Sequence, residues 1–316
     1  MSSKPPTNSP VPDAPPYQSS PLSPAQNTEA TAPPKKIKGP PFPPGVKVLI
    51  FKHPPGARSI MGGGFSYVYT HPDRPGLVCK VPAPTPAGEK AMAIEKEIYD
   101  RLGTNHPNIV KVVDVDEYGI WMERAAYGCL RLVNEGGSAK HEHDGGVAGI
   151  GVLELTAGDR IRWCGDVARA LEYIHSKNVR HADLSGRNLL VTADKRILLC
   201  DFSGSSLDGV KAMIWAEAGF HHPDPAEYKL PTIRSEIHTL GSTIYEILAG
   251  QQPHRGVEVG ALVRLIEEGK YPDVSGLPLG DVIRGCWDGR FGSAAEVGDA
   301  IASHRAAAEA SQTADT

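Results

Sequence analysis

The chain has 316 residues, of which 40% are hydrophobic, and a formal net charge of -4. This length holds one large domain or two ordinary ones, and the small negative charge gives no general attraction to nucleic acid or to an anionic membrane surface. Five scattered cysteines without a C-x-x-C pair, together with the lack of a visible secretory signal or membrane-spanning run, predict an intracellular protein, cytoplasmic or nuclear.

Residues 1–45 differ in composition from the rest of the chain, because half of the 28 prolines lie before Gly45. Such a segment buries too little apolar surface to offset the entropy of ordering it, so it is predicted to be a disordered leader. Its proline runs could bind an aromatic-lined groove of a partner protein, and an inert tail is the alternative.

After the leader, runs rich in β-branched and aromatic residues predict short strands. These runs are Val46–Phe51, Ser66–Thr70, Leu77–Val81 and Ile109–Val115. One helix is predicted between them, from about Gly88 to Leu102, because Ile94, Ile98 and Leu102 lie four residues apart.

The second half of the chain follows the helical period instead. The predicted helices are Ile161–Ile174, Ile237–Ala249 and Val257–Glu268, and the Gly- and His-rich residues 134–151 predict an insertion loop. A β-rich first part followed by a helical second part indicates an α+β protein with two sub-domains.

A glycine run within Met61–Val68 lies between strand-like stretches. Backbone N–H groups of glycines can approach phosphate oxygens closely, although glycine turns between strands are common without any ligand. The following strand carries Lys80, and a lysine inside an apolar strand requires an anion, either phosphate or a carboxylate. Glu95 on the next helix is the expected carboxylate, with Glu97 as the alternative.

The sharpest pattern is His181-Ala182-Asp183-Leu184-Ser185-Gly186-Arg187-Asn188, followed by Asp201 in Asp201-Phe202-Ser203-Gly204. Two carboxylates and an amide on neighbouring loops suit Mg²⁺, which prefers oxygen ligands. A carboxylate is also needed to orient an attacking hydroxyl and accept its proton.

Together these segments resemble the eukaryotic protein-kinase family, from about Lys47 to Ala302, and are similar to short fungal kinase-like proteins. The resemblance implies a two-lobed protein-kinase-like α+β fold. It consists of a small β-rich N-lobe (46–123), a larger helical C-lobe (126–305) and a disordered tail (306–316).

The same resemblance implies the site residues and the cofactors, ATP and Mg²⁺. The implied ATP-binding residues are Gly62, Gly63, Gly64, Val68, Lys80, Glu95, the gatekeeper Met122 and the hinge residues Glu123 and Ala125. The implied catalytic residues are Asp183 as base, Lys80 and Arg187, and the implied magnesium ligands are Asn188 and Asp201.

Several positions depart from the family pattern. Met61 and Ser66 replace glycines of the glycine loop, and Ser203 replaces a glycine of the magnesium loop. Ser185 stands where serine/threonine kinases carry lysine, while Arg187 fits the tyrosine-kinase variant. The substrate class is therefore ambiguous, with serine or threonine favoured over tyrosine.

One departure predicts a mode of regulation. The arginine that normally precedes the catalytic aspartate and receives an activation-segment phosphate is Ala182, and residues 207–227 contain no serine, threonine or tyrosine. A phosphate there would have neither an acceptor hydroxyl nor a cationic receptor. The sequence thus predicts activity that does not depend on phosphorylation of this segment.

Two other functions stay open. The altered glycines and Ser203 suit a pseudokinase scaffold, and small-molecule phosphotransferases also use a His-x-Asp loop. The segments Asn105–Val110 and Ser235–Gly241 look like protein-kinase features and argue against the latter. Cys200, next to Asp201, is predicted to lie at the back of the nucleotide pocket, as a reactive or an inert thiol.

Overall fold

A five-stranded antiparallel sheet and one long helix form the N-lobe. The computed structural model describes residues 52–136 and 153–314, so the predicted leader, the predicted strand Val46–Phe51 and most of the predicted insertion loop lie outside the described residues. The strands, in the order β1-β2-β3-β5-β4, are β1 (Arg58–Gly62), β2 (Ser66–Thr70), β3 (Leu77–Pro82), β4 (Val112–Val115) and β5 (Ile120–Glu123).

The predicted strand Ile109–Val115 is shorter in the structure. Ile109 forms an isolated bridge with Leu199 of the C-lobe, and the Val110 amide donates to the Leu199 carbonyl. The chain therefore joins the sheet only at Val112, because the residues before it pair across the lobes.

Helix α1 (Pro86–Leu102) starts two residues before its predicted beginning. The Thr85 side chain accepts a hydrogen bond from the Gly88 amide, and Pro86 occupies the first turn, where its missing N–H is not needed. The helix ends at Gly103, which has a φ of 67°. Its buried face carries Ile98 and Leu102 into the core, and Glu95 lies on the same face.

The C-lobe is mainly helical. Its helices are α2 (Leu130–Asn134), α3 (Ala157–Ser176), α4 (Pro225–Lys229), α5 (Ile233–Ala249), α6 (Val259–Glu267), α7 (Gly280–Trp287) and α8 (Ala294–Ala314). No helix among residues 52–136 and 153–314 is long and apolar enough to cross a membrane.

Helix α5 is the centre of this lobe, since every residue from Ser235 to Ile247 is buried. Thr232 and Ser235 form a capping box at its start, which fixes where the helix begins. Gly241 allows α7 to approach closely, because a Cβ at this position would lie 2.6 Å from the Cβ of Cys286. The consequence is a rigid central helix on which loops can be anchored.

The structure describes most of the segment that was predicted to be a disordered tail as the end of a helix. Helix α8 continues through residues 306–314 to Ala314. The segment is rich in alanine, which loses little entropy in a helix, so propensity extends α8 beyond the part that packs on α3.

Two pairs of short strands frame the loops that carry the polar motifs. They are β6 (Val179–Arg180) with β9 (Ser206–Leu207), and β7 (Leu189–Val191) with β8 (Ile197–Leu199). The loop from β6 to β7 contains Asp183, and the loop from β8 to β9 contains Asp201. Both loops therefore face the cleft at one edge of the C-lobe.

Candidate active site

Lys80 joins the two lobes through ionic contacts. Its Nζ lies 2.6 Å from Glu95 Oε2 on α1 and 2.7 Å from Asp201 Oδ1 in the C-lobe. The lysine is 3% exposed and Glu95 is fully buried. The structure thus selects Glu95 over Glu97, which is exposed.

Lys80 and Asp201 shift each other's pKa. Burial alone would lower the pKa of Lys80, but the carboxylates of Asp201 and Glu95 outweigh it and the pKa is raised. Burial likewise favours protonated Asp201, yet Lys80 and the Ser203 amide lower its pKa. Lys80 and Asp201 are therefore both ionised at neutral pH, as a compensated buried ion pair requires.

Asp183 lies deep in the neighbouring loop, with its side chain 14% exposed. Asn188 Nδ2 donates to the Asp183 backbone carbonyl at 2.7 Å and to Oδ2 at 3.1 Å, and Arg187 Nη2 lies 3.3 Å from Oδ1. Burial raises the Asp183 pKa to about 6, although Arg187 opposes the shift. Its carboxylate is consequently more basic than an exposed one and still ionised at neutral pH.

Two carboxylates of α5 hold the loop around Asp183. Glu236 Oε1 accepts from the Ala182 amide at 2.7 Å, and Ala182 has a φ of 69°, which is unfavourable for a residue with a side chain. Glu246 Oε2 accepts from the Gly186 amide at 2.8 Å. A Cβ at Gly186 would lie 2.6 Å from the Glu246 carboxylate, so this approach needs glycine.

Glu217 connects the segment after β9 to the loop that carries Asp183. Its carboxylate accepts two hydrogen bonds from Arg131 of α2, and its Oε2 lies 3.2 Å from Arg187 Nη2. Arg131 in turn binds buried Glu246, with Nε 2.8 Å from Oε1. Arg131 is 15% and Glu217 18% exposed at the side chain, so water screens these contacts only in part.

The donor set fits a magnesium ion. Asp201 Oδ1 is used by Lys80 and by the Ser203 amide, while the side chain stays 42% exposed. Asn188 uses its amide nitrogen for Asp183, so its amide oxygen is left for a ligand. Across residues 52–136 and 153–314 no cluster of three or more His, Cys, Asp or Glu could hold a metal alone. Two protein oxygens plus phosphate and water suit Mg²⁺.

The glycine loop is a tight hairpin between β1 and β2. Gly62 pairs with Tyr67, and a Cβ at Gly62 would lie 2.9 Å from the Tyr67 ring. The Gly63 amide closes the turn on the Ser66 carbonyl, so it is already used, whereas Gly64 is exposed at the tip.

The predicted gatekeeper and hinge lie on and after β5. Met122 is buried, and its sulfur accepts from the Tyr99 hydroxyl at 3.7 Å. The Glu123 amide donates to the Lys111 carbonyl, which leaves Ala125, two residues on, as a possible adenine contact. Val68 pairs with Lys80 in the sheet register.

The structure brings Lys80, Glu95 and Asp201 into direct contact, and it places Asp183 and Asn188 in contact with each other on a neighbouring loop. The glycine hairpin belongs to the sheet that carries Lys80. Sequence analysis missed Arg131, Glu217 and Glu246, because these residues lie on three separate segments. A signal was present only in Glu217, an acid near the middle of the segment 207–227, which has no hydroxyl residues.

Comparison with known proteins agrees with this geometry. The family model for protein tyrosine and serine/threonine kinases matches residues 77–293, which is more than half of the chain. The chain is 31% identical over 147 residues to the tyrosine-protein kinase receptor torso of Bombyx mori, covering 43% of this chain and 18% of that protein.

Two further relatives are kinases with other descriptions. Calmodulin-binding receptor-like cytoplasmic kinase 1 of Arabidopsis thaliana is 28% identical over 176 residues, 51% of this chain and 35% of that protein. A probable serine/threonine-protein kinase of Dictyostelium discoideum is 25% identical over 193 residues, 56% of this chain and 20% of that protein. The chain spans about a third or less of the length of these relatives. With its two-lobed α+β kinase fold, the chain belongs to the protein tyrosine and serine/threonine kinase family.

Proposed function

We propose that the chain is a catalytically active protein kinase that transfers the γ-phosphoryl group of ATP to a protein hydroxyl, with serine or threonine as the expected acceptor. The observation that carries the proposal is the contact of Lys80 with both Glu95 and Asp201, next to a separately positioned Asp183. A scaffold without catalysis has no need to keep a buried cation and a basic carboxylate at the edge of one cleft.

Asp183 is the group that handles the proton. Its carboxylate orients the substrate hydroxyl and accepts the proton as the hydroxyl oxygen attacks phosphorus. A pKa of about 6 keeps it ionised at neutral pH and raises its basicity. Asn188 and Arg187 hold it by the contacts described above, so the carboxylate does not turn away from the cleft.

Asp201 and Asn188 would hold Mg²⁺, and Lys80 would contact the phosphates of ATP. When bound, the metal neutralises negative charge on the transferred phosphoryl group. The glycine hairpin and the hinge from Glu123 to Ala125 would cover the nucleotide and contact its adenine, respectively.

We also propose that the activation segment (207–227) is ordered without phosphorylation. Glu217 supplies a fixed carboxylate for the guanidinium groups of Arg131 and Arg187. A phosphate that orders a loop makes the same kind of charge-assisted bond to arginine. Here the acid is part of the sequence, which supports constitutive rather than switched assembly.

The test is steady-state phosphate transfer from ATP·Mg²⁺ to generic peptides and to the chain itself. Wild type should be active, Asp183→Asn and Lys80→Met should each lose at least about 100-fold, and the exposed control Asp299→Asn should retain activity. Phosphoamino-acid analysis identifies the acceptor hydroxyl.

Absence of turnover, with magnesium-dependent nucleotide binding retained, would contradict catalysis and indicate the pseudokinase scaffold. Transfer to small alcohols but to no peptide would indicate a small-molecule phosphotransferase. Equal activity of wild type and Asp183→Asn would refute the assignment of the base.

A further inference from the structure

Ser203, which stands where the family pattern has glycine, makes a buried contact that glycine could not make. Its Oγ donates to Glu95 Oε2 at 2.7 Å. Ser203 is 7% exposed and Glu95 is fully buried. A hydrogen bond from a hydroxyl to a carboxylate oxygen that is shielded from water is among the stronger hydrogen bonds in proteins.

This bond joins the two lobes, because Glu95 belongs to α1 of the N-lobe and Ser203 follows β8 of the C-lobe. The Glu95 carboxylate also accepts from Lys80 Nζ and from the Phe202 amide, at 2.7 and 3.0 Å to Oε1. The contacts of Glu95 with Lys80 and with the Phe202 amide would remain if residue 203 were glycine. The Ser203 hydroxyl therefore adds one further hydrogen bond between the lobes.

The backbone explains why a side chain is tolerated at this position. Asp201 and Gly204 have φ values of 64° and 81°, whereas Ser203 does not take a left-handed conformation. The two residues with left-handed backbone conformations thus lie on either side of Ser203. Glycine is needed at residue 204, where a Cβ would also lie 3.2 Å from the Met213 Cβ.

The other ionic contact between α1 and this part of the C-lobe is weaker. Arg101, at the end of α1, makes two hydrogen bonds to Asp208, but the two side chains are 37% and 49% exposed. Exposed ion pairs of this kind contribute little, because water screens them. Of these two ionic contacts, the one at Glu95 is therefore expected to hold α1 more firmly.

We propose that Ser203 is a positioning residue, whose hydroxyl holds Glu95 and α1 against the magnesium loop and so keeps Lys80 aligned for the phosphates of ATP. The expected effect on the rate rests on the proposed kinase function, but the hydrogen bond between Ser203 and Glu95 does not depend on turnover. It gives the substituted serine a role in assembly of the site.

The test compares Ser203→Ala with Ser203→Thr, which retains the hydroxyl. The matched control is Ser242→Ala, which removes another buried hydroxyl, one that accepts from Trp287 Nε1 and lies on α5 away from α1. We expect Ser203→Ala to lower kcat/KM for ATP by about tenfold and Ser203→Thr to stay within about threefold of wild type.

Hydrogen–deuterium exchange of α1 gives a readout without activity. Amides of residues 86–102 should exchange faster in Ser203→Ala, whether or not ATP·Mg²⁺ is present, and at the wild-type rate in Ser242→Ala. The same comparison in a Glu95→Gln background should show a smaller effect of Ser203→Ala, because the shared acceptor has lost its charge.

Unchanged α1 exchange in Ser203→Ala, or an equal increase in Ser242→Ala, would overturn the proposal. If wild type transfers no phosphate, the kinase proposal fails while the exchange data still decide the role of Ser203. If Ser203→Ala does not fold, Ser203→Gly provides the same comparison, and wild-type exchange in that variant would be decisive against the proposed role of the Ser203 hydroxyl.

Discussion

Acidification should remove the catalytic base at a higher pH than for an ordinary aspartate. The Asp183 pKa is raised to about 6 from an ordinary value of 3.8, chiefly by burial. At about pH 5 such a carboxyl is roughly one-tenth ionised, whereas an exposed aspartate would be more than about nine-tenths ionised. We therefore expect kcat/KM for a peptide to fall about tenfold between neutral pH and about pH 5.

A variant at Arg187 isolates the contribution of Asp183. Arg187 lowers the Asp183 pKa, so Arg187→Gln should move the acid limb of the profile to higher pH. ATP itself titrates in this range, and the displacement between variants cancels that contribution. Arg305→Gln on α8 is the matched control and should not move the limb.

The stability of the fold gives an independent measure of the Asp183 pKa shift. Since the folded-state pKa lies above the ordinary value, ionised Asp183 destabilises the fold, and this cost is absent below about pH 4 and complete above about pH 6. The difference between about 6 and 3.8 corresponds to at most about 3 kcal/mol. Asp183→Asn should thus raise Tm at neutral pH while abolishing transfer.

The reasoning would be refuted by an acid limb centred below about pH 5 in wild type. A limb that stays in place in Arg187→Gln would also count against it, provided that nucleotide affinity is retained. A lower Tm for Asp183→Asn at neutral pH would show that burial does not dominate the environment of this carboxyl.

Three further predictions use other parts of the C-lobe. Glu217→Gln removes one carboxylate partner from each of the Arg131 and Arg187 guanidinium groups and should lower kcat/KM about tenfold or more. Ala182→Arg should not raise activity, and a large gain in this variant would contradict phosphorylation-independent assembly. Cys200 is half-buried, and its pKa is raised well above the usual range by burial and by Asp201, so a maleimide should label it slowly at neutral pH. ATP·Mg²⁺ should slow the labelling further. Fast labelling that nucleotide does not affect would show that the thiol does not lie at the nucleotide site. Burial lowers the His238 pKa to about 3, so its contribution to stability should be full above about pH 6.5 and decline by about 1.4 kcal/mol per pH unit as pH falls toward 3. His238→Asn should reduce this slope of the unfolding free energy, measured by urea titrations at several pH values. An unchanged slope would assign the acid sensitivity to other groups.

Local patterns predicted much of the fold. Helical periodicity located α1, α3, α5 and α6 to within a few residues. Strand β1 was not predicted as a strand, since four of its five residues are exposed and no alternation marks it. Helix α8 was not predicted as a helix, and its last turns lie in the segment that was predicted to be a disordered tail, because they depend on alanine propensity.

The site was predictable from the sequence where a residue type is unusual among its sequence neighbours. A lysine in an apolar strand indicated Lys80, and the loop spacing indicated Asp183 and Asp201. Ser203 was interpreted only as a departure from the family glycine that suits a pseudokinase scaffold, because its acceptor lies 108 residues away on α1. The partners of Glu217 are likewise distant in sequence, and only the tertiary structure brings them together.

The attachment of the base to α5 has a consequence for the catalytic cycle. Glu236 and Glu246, about 15 Å apart along the helix rise, fix the backbone on either side of Asp183. We therefore expect that an opening of the lobes that parts Lys80 from Asp201 would leave the loop around Asp183 assembled. Exchange at the Ala182 and Gly186 amides should then follow global unfolding and not cleft opening, so that each turnover begins with the base already in place.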